Sequence, residues 1–372
     1  MSGRFILADL GIVTALGRGR DETERRMFAG DTSGMRRMEG VLPEGETTMF
    51  GYAERPAGTT RVGALVDEAM RQLQPAIEGL GAAPERIGAV VGTSNSTMEE
   101  FTENPDRIDM AYPAERIRDR WNVKGPAWTV STACSSSGKT FASARRLLES
   151  GLCDAVVVGG ADAMTRVVVN GFNALEATSP NLTRPLAADR AGINLGEGAA
   201  LFLMLPGSSP FHPFASSSVS LLGVGESSDA HHLTAPDPEG KGAEAAMRAA
   251  LADAGLAPED IDYINLHGTG TTYNDSMECA AVRRVFGDRV PASSTKPLTG
   301  HALGAAGAIE AALCWLALRS GRGVPPHVVA NVDRELAPFP VPEVGNTIAA
   351  KTALSNSFAF GGSNASVILG VA

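Results

Sequence analysis

One cysteine lies in an unusually small-residue setting. In "STACSSSGKT", residues 131–140, Cys134 is surrounded by residues no larger than threonine until Lys139. Such a cysteine is either a small buried hydrophobe at a tight helix contact or a nucleophile that needs free space around its sulfur. The apolar periodicity after Cys134 predicts a turn from a strand into a helix, whose positive end would lower the pKa of the thiol and favour a thiolate. This stretch alone leaves both interpretations open.

Two histidines also follow predicted strands. His267 lies in "NLHGTGTTYND", and His301 lies in "STKPLTGHALGAAGAIE", five residues after Lys296. A single histidine in such a place is commonly a hydrogen-bonded structural residue. Two of them at the ends of strands occupy the edge where open α/β sheets place their ligand sites. A thiol with two imidazoles suits acyl transfer, in which a thiolate attacks a thioester and the second imidazole donates to an enolate oxygen.

The last loop could complete such a site. The segment "SNSFAFGGSN", residues 355–364, offers glycine-flanked backbone N–H groups for an oxyanion hole and two aromatic rings, Phe358 and Phe360, to cover it. An ordinary glycine-rich turn is the alternative interpretation of this segment.

The elements that must position these residues alternate between strand and helix. Short runs rich in valine, such as "IGAVVGT" and "DAVVVGGADAM", are separated by alanine-rich helical stretches. This alternation predicts an α/β layered fold with two similar halves, residues 1–205 carrying the cysteine and residues 220–372 carrying both histidines. The Ser/Pro-rich segment between them marks the boundary. Residues 40–60 lack periodicity and are expected to form an irregular loop.

Composition limits the possible partners and location. The 372 residues carry 32 basic and 42 acidic side chains, a formal charge of −10 that argues against nucleic acid or an anionic membrane as the main partner. The four cysteines show no C-x-x-C pair, so we expect neither a metal site nor disulfides, and a reducing cytoplasm. We expect no membrane insertion, because no run of eighteen apolar residues is present.

Four separated motifs resemble one enzyme family. The segments "VSTACSSSG", "HGTGTTYNDSMEC", "SSTKPLTGHALGAAGAIEAAL" and "SNSFAFGGSNASVIL" occur in the order and spacing of the β-ketoacyl-acyl-carrier-protein synthases, which are elongating condensing enzymes of the thiolase superfamily. The resemblance covers essentially the whole chain. It implies a thiolase-like fold of two pseudo-duplicated halves in a layered αβαβα arrangement, and decarboxylative Claisen condensation as the reaction.

The resemblance also implies roles for individual residues. Cys134 would carry the acyl chain as a thioester, and His267 and His301 would serve the decarboxylation of a malonyl extender. Lys296 would support the second histidine, with Glu278 as the acidic residue behind it. No intrinsic cofactor is implied, because the substrates arrive on the phosphopantetheine of an acyl carrier protein.

Further residues match the substrate channel of the family. Thr269 and Thr271 match threonines that bind the pantetheine arm. Phe360 matches the gating phenylalanine whose backbone N–H, with that of Cys134, forms the oxyanion hole, and residues 227–240 resemble a second gating loop. A local basic patch for an acidic carrier would consist of Arg184, Arg116, Arg118, Arg120 and Lys124, although a solvated helix face is the alternative for the group from 116 to 124.

Departures from the family indicate a specialised member. The chain is shorter in the 38–85 region, "GTSNST" at 92–97 replaces a more glycine-rich segment, and Ala359 stands where the gating loop usually has glycine. These features resemble ketosynthases of aryl-polyene gene clusters, so fatty acid, polyketide and aryl polyene pathways stay open. A homodimer and a heterodimer with a ketosynthase-like subunit are both compatible with the sequence.

Other members of the superfamily are the competing interpretations. A catalytically silent chain-length factor would typically lack the nucleophile, whereas this chain keeps Cys134 and both histidines. A degradative thiolase would need a second cysteine in the last loop, where Ser355 and Ser357 stand. A priming synthase would carry asparagine in place of His301. A serine hydrolase lacks support, since no G-x-S-x-G motif is present.

Overall fold

The computed structural model describes residues 5–54, 60–100, 108–209 and 219–371. The helices in this part of the chain are α1 (Arg20–Phe28), α2 (Arg61–Gly79), α3 (Tyr112–Arg120), α4 (Ser136–Glu149), α5 (Arg166–Ala174), α6 (Lys241–Ala254), α7 (Thr272–Phe286), α8 (Lys296–Thr299) and α9 (Ala306–Ser320). The strands are β1 (Phe5–Thr14), β2 (Gly17–Arg18), β3 (Met35–Met38), β4 (Thr48–Gly51), β5 (Ile87–Gly92), β6 (Ala127–Val130), β7 (Ala155–Asp162), β8 (Leu195–Gly196), β9 (Gly198–Pro206), β10 (Val219–Ser228), β11 (Tyr263–Asn265), β12 (Ala292–Ser293), β13 (Thr352–Phe358) and β14 (Ser363–Val371).

The strand order repeats itself, as the prediction of two similar halves requires. The first half runs β1-β9-β7-β5-β6 and the second runs β10-β14-β13-β11-β12. In both halves the first three strands pair antiparallel, while the last two joins are parallel. The halves meet where β1 pairs with β10, so they form one continuous sheet. The exact boundary stays a prediction, because residues 210–218 lie outside the described residues.

Two helices fill the layer between the halves. Helices α4 and α9 contact each other and strands of both halves, whereas α2 and α3 cover the first half and α6 and α7 cover the second. The layers therefore follow the predicted αβαβα order. Helix α9 is apolar around nearly its whole circumference, because both faces are covered. The segment Leu303–Ser320 is long and apolar enough to cross a membrane by composition, but 89% of it is buried inside the fold.

Close contact between α4 and α9 explains the small residues around the cysteine. The Ser137 hydroxyl accepts a hydrogen bond of 2.9 Å from the backbone N–H of Ala308. A Cβ on Gly307 would lie 3.0 Å from the backbone nitrogen of Gly138, and one on Gly92 would lie 2.4 Å from that of Ser137. The packing interpretation of the "STACSSSG" stretch is therefore supported, because two helices and a strand meet there. The same packing fixes the position of the neighbouring thiol, whose role as a nucleophile stays a prediction.

The prediction of an irregular loop over residues 40–60 is wrong in part. Residues Thr48–Gly51 form β4, which pairs antiparallel with β3 and parallel with β8 in a separate small sheet. A four-residue strand shows too few residues for a period-2 pattern to be recognised in sequence. This sheet matters for the site, because the residues of β8 adjoin the backbone of His301.

Candidate active site

Cys134 lies at the turn from β6 into α4, as the sequence predicts. The preceding residue, Ala133, has a positive φ of 52°, a backbone strain for a residue with a Cβ that is commonly found at functional sites. The side chain of Cys134 is buried, and its Sγ lies 3.0 Å from Nε2 of His301. The thiol proton can therefore pass directly to the imidazole.

The backbone around His301 is held rigidly by β8. The His301 N–H donates to the carbonyl of Asn194 at 2.8 Å, and the Gly196 N–H donates to the carbonyl of His301 at 3.0 Å. Gly300 has a φ of 68°, and a Cβ there would lie 2.4 Å from the carbonyl oxygen of Leu195. Only glycine fits at this position, so the residue before His301 is fixed by both conformation and space.

His267 is positioned by a buried carboxylate beneath its backbone. The Glu278 side chain accepts hydrogen bonds from the backbone N–H of His267 at 2.8 Å and of Gly268 at 2.7 Å, and from the Asn356 amide at 3.1 Å. The rings of His267 and His301 are 5.1 Å apart between centroids and inclined by 81°. One ligand-type atom from each of Cys134, His267 and His301 lies within 4.8 Å of the other two, so the structure brings the predicted triad together.

The predicted positions of Lys296 and Glu278 need correction. The Lys296 Nζ lies 3.4 Å from Nδ1 of His267, the first histidine and not the second. Its ionic partner is Glu310 of α9, not Glu278. Because an ammonium group only donates, Nδ1 of His267 accepts and the ring carries its proton on Nε2, available to donate into the pocket.

Glu310 was not predicted as a site residue, although its sequence context indicates a buried charge. It is the one acidic residue in the apolar α9 sequence "AGAIEAALCWLALRS", and a carboxylate in the middle of a buried helix requires a partner. Both Lys296 and Glu310 are almost completely buried. Burial raises the pKa of Glu310 to about 7, and the neighbouring Lys296 opposes this shift.

Substitution of this ion pair gives a prediction. We expect Glu310→Leu to lower the free energy of unfolding by roughly 3–5 kcal/mol, because it leaves the Lys296 ammonium buried and unpaired. The double variant Lys296→Met/Glu310→Leu should recover most of that stability while condensation stays slow, because His267 has lost the donor to its Nδ1. Urea unfolding and single-turnover condensation measure the two effects. A single variant as stable as the wild type would contradict the assigned pairing.

Burial sets the protonation states of the triad. It raises the pKa of the Cys134 thiol to about 12, against the opposing effects of Lys296 and of a hydrogen bond from the Phe360 backbone N–H. It also lowers the pKa values of His267 and His301 well below 6.5, and the charge of Lys296 adds to both shifts. The helix N-terminus was predicted to lower the pKa of this thiol and favour a thiolate, and burial outweighs that effect. Burial therefore favours a neutral thiol beside two neutral imidazoles, with Nε2 of His301 placed to accept the thiol proton.

A pH profile tests this neutral resting state. A histidine with a lowered pKa stays unprotonated as pH falls to 6.5, so the rate of Cys134 acylation should remain level between about pH 8 and about pH 6.5 and fall only below that range. The rate is measured by mass spectrometry on samples quenched at intervals. A decline centred at or above pH 6.5 would show that His301 has an ordinary pKa and contradict the assignment.

A second buried carboxylate fixes the loop that faces the site from the first half. Asp162, at the end of β7, accepts hydrogen bonds from the backbone N–H groups of Ser94 and Asn95 at 2.9 Å each and of Gly304 at 2.7 Å. Gly304 lies three residues after His301. Asp162 therefore connects the "GTSNST" segment to the loop that carries His301, a role that its place in the sequence does not reveal.

The triad lies in a pocket of about 380 Å³. Cys134, both histidines and residues from the two predicted gating loops line it, together with Thr269 and Thr271, whose hydroxyl oxygens lie 2.9 Å apart. Hydroxyls that line an otherwise largely apolar channel suit the amide groups of a pantetheine arm. The predicted pantetheine residues therefore line the same pocket as the triad, and their role stays a prediction.

The two aromatic residues of the last loop have different positions. Phe360 is partly exposed, and its ring stacks on Phe172 of α5 at 5.5 Å between centroids. Phe358 is buried at the end of β13 with its ring 6.2 Å from that of His267, so it belongs to the pocket wall and not to the opening. The last loop is linked to the predicted gating loop 227–240 by the Gly361 N–H, which donates to the carbonyl of Leu233 at 2.8 Å.

The predicted basic patch is largely neutralised by neighbouring groups. Arg116 forms a largely buried ion pair with Asp67, and Arg120 lies 3.8 Å from the same carboxylate. Arg118 pairs with Asp119 at 3.0 Å, and the Lys124 ammonium donates to backbone carbonyls at the end of α3. These residues are absent from the described pocket lining. Arg184 lies in a separate loop, where it pairs with Asp189 at 3.0 Å.

Comparison with known proteins connects this site to one family. Residues 46–209 match the family described as "Beta-ketoacyl synthase, N-terminal domain", and residues 219–330 match "Beta-ketoacyl synthase, C-terminal domain". The chain is 31% identical to 3-oxoacyl-[acyl-carrier-protein] synthase 2 of Coxiella burnetii, with 98% of each chain covered. It is also 40% identical to Nodulation protein E of Rhizobium meliloti over 65% of this chain and 61% of that relative. The chain therefore belongs to the β-ketoacyl synthase family of acyltransferases, which form carbon–carbon bonds.

Solved structures agree with the thiolase-like fold. A structure described as the ketosynthase (ApeO) in complex with its chain length factor (ApeC) from Xenorhabdus doucetiae matches with a TM-score of 0.90 and 39% identity, covering 100% of this chain and 98% of that one. A β-ketoacyl synthase from Burkholderia phymatum matches with a TM-score of 0.85 and 27% identity, with both chains covered completely.

Proposed function

We propose that this chain is a β-ketoacyl-acyl-carrier-protein synthase that condenses an acyl thioester held on Cys134 with a malonyl extender held on an acyl carrier protein. The observation that carries the proposal is the 3.0 Å contact between the Cys134 thiol and Nε2 of His301, in a pocket that also contains His267. The resident groups need no intrinsic cofactor for this reaction, because the phosphopantetheine belongs to the carrier.

The first half-reaction loads the acyl chain. Nε2 of His301 accepts the proton of Cys134, and the sulfur attacks the carbonyl carbon of the acyl thioester. The backbone N–H groups of Phe360 and Cys134 donate to the oxyanion. The carbon–sulfur bond to the carrier breaks, and the departing thiolate takes the proton from His301.

The second half-reaction forms the new carbon–carbon bond. For this step His301 carries its proton on Nε2 instead of Nδ1, and the Nε2–H groups of His267 and His301 donate hydrogen bonds to the thioester oxygen of the malonyl extender. Charge can then build up on that oxygen as the C2–carboxylate bond breaks and CO2 leaves. The resulting carbanion attacks the acyl carbonyl on Cys134. The carbon–sulfur bond breaks, and the Cys134 thiolate regains one proton from solvent.

The pathway and the partner subunit also belong to this proposal. The 39% identity to the ApeO–ApeC complex supports an aryl-polyene-type ketosynthase that pairs with a chain-length-factor-like subunit, with a homodimer as the alternative. All four cysteines are free and buried, which supports a reducing, cytoplasmic setting. A carrier protein, and neither nucleic acid nor membrane, is the proposed partner.

A silent chain-length factor is the second candidate function, because a structure that contains such a subunit matches this chain. The catalytic triad argues against it. The two functions are separated by incubating the protein with acyl carrier and malonyl carrier and analysing the carrier by mass spectrometry. Appearance of a 3-oxoacyl carrier extended by two carbons, with release of CO2, supports the ketosynthase. Extension only when a separate ketosynthase is added would assign the silent role.

One cysteine and two histidines could also supply the three protein ligands of a catalytic zinc site. The Lys296 ammonium next to His267 disfavours a cation there. We therefore assign the triad to acyl transfer, and the same extension assay in the presence of EDTA should give an unchanged product.

A further inference from the structure

Exposed apolar side chains are concentrated around the opening of the pocket. Leu175, Tyr273 and Phe360 line the pocket and are exposed to solvent, Leu175 by 52% and Tyr273 by 76%. Leu233 is 78% exposed, and its carbonyl accepts the hydrogen bond from Gly361 beside Phe360. We call Leu175, Leu233, Tyr273 and Phe360 the apolar rim. A cluster of exposed apolar residues around the opening of a pocket is typical of a surface that another molecule covers.

The charges near the apolar rim largely cancel. Arg190 donates to the hydroxyl of Ser276 at 3.1 Å, and Ser276 lies one turn after Tyr273 on the same side of α7, so this guanidinium lies beside the rim. Glu176, which also lines the pocket, places an opposite charge there. The whole chain carries a formal charge of −10. An acidic partner therefore gains little net attraction at this opening.

The rim fits a protein and not only a small ligand. On the proposed function, the arm of the acyl carrier must pass between Leu175, Tyr273 and Phe360 to bring its thioester to Cys134. The carrier surface around the base of the arm then covers the same side chains. The α3 cations are not available in the same way, because Arg118 and its neighbours are already paired with carboxylates or backbone carbonyls.

We propose that the acyl carrier protein docks on the apolar rim mainly through apolar contact. This inference rests on the proposed function and names the docking surface for its partner. Hydrophobic docking predicts that the affinity for the carrier depends strongly on the rim side chains and only weakly on salt, because screening acts on charge and not on apolar burial.

The test compares two acyl donors for each variant. One donor is an acyl carrier protein and the other is the corresponding acyl-pantetheine, which lacks the carrier. We expect Leu233→Ala and Tyr273→Ala each to raise the KM for the carrier-bound donor by about tenfold, and to raise it at least about fivefold more than the KM for acyl-pantetheine. Increasing salt from about 50 mM to about 500 mM should change the carrier KM of the wild type by less than about threefold.

Matched controls identify what each result means. Leu152→Ala removes a leucine of similar exposure, 57%, on the turn after α4, and should leave both KM values unchanged within about twofold. A larger effect of Arg118→Ala than of the rim variants, or a steep loss of affinity with salt, would overturn the proposal in favour of electrostatic docking at α3. If the rim variants raised the KM equally for both donors, the proposal would be overturned, because the rim would then contact only the pantetheine arm and not the carrier. Failure of the wild type with acyl-pantetheine as well as carrier would instead overturn the proposed function itself.

Discussion

Replacement of Cys134 by serine is expected to lower the rate of acyl loading by at least about a thousandfold. The hydroxyl keeps the size and the contact with His301, but it is a far weaker acid than a thiol, and in a buried site a neutral imidazole cannot generate useful alkoxide. The rate is measured in a single turnover with an acyl carrier, by the mass increase of the protein.

Cys153→Ser is the matched control for this prediction. Cys153 is also buried and free, but it precedes β7 and so lies at the opposite end of that strand from Asp162 and the site. Its replacement should leave loading unchanged within about twofold. If Cys134→Ser kept a tenth or more of the wild-type loading rate, Cys134 would not be the nucleophile.

Replacement of His267 is expected to separate the two half-reactions. His267→Ala should slow condensation by about a hundred- to ten-thousandfold, because the enolate loses the Nε2–H donor that Lys296 enforces. Loading should change by less than about tenfold, since His301 and not His267 contacts the thiol. His301→Ala should slow both steps. Loading is followed by protein mass, and condensation by the mass of the carrier product.

Equal loss of loading and condensation in His267→Ala would contradict the division of roles between the two histidines.

The order of elements was accessible from sequence because it depends on local patterns. The valine-rich runs became β5 and β7, and the alanine-rich stretches became α4, α6 and α9. Cys134 and His267 were accessible because each follows a strand, and strand ends converge at one edge of a layered α/β fold. His301 was predicted to follow a strand as well, but the short helix α8 separates it from β12. The repeated strand order was predicted only as similarity of the halves, because strand pairing between distant segments leaves no mark in a single sequence.

The partners of the buried charged residues could not be predicted from the sequence. Glu278 and Glu310 both lie on helices after glycine-rich loops, and only the packing decides that one binds the backbone of His267 while the other pairs with Lys296. The predicted lowering of the Cys134 pKa was wrong because it, too, depends on packing between distant segments. A helix N-terminus can be read from sequence, but the burial that raises the pKa of Cys134 to about 12 depends on packing against residues distant in sequence, such as Phe50 and Leu195. The basic residues of α3 were predicted to be available for a carrier protein because Asp67, which pairs with Arg116, is 49 residues away in sequence.

The mass of the intact protein after sequential addition of substrates tests the central claim most directly. Addition of an acyl carrier should add the mass of one acyl group, which peptide mapping assigns to Cys134. Addition of malonyl carrier should then remove that mass from the protein and yield a 3-oxoacyl carrier longer by two carbons. An acyl group on any other residue, or one on Cys134 that persists when malonyl carrier is added, would contradict the proposed condensation.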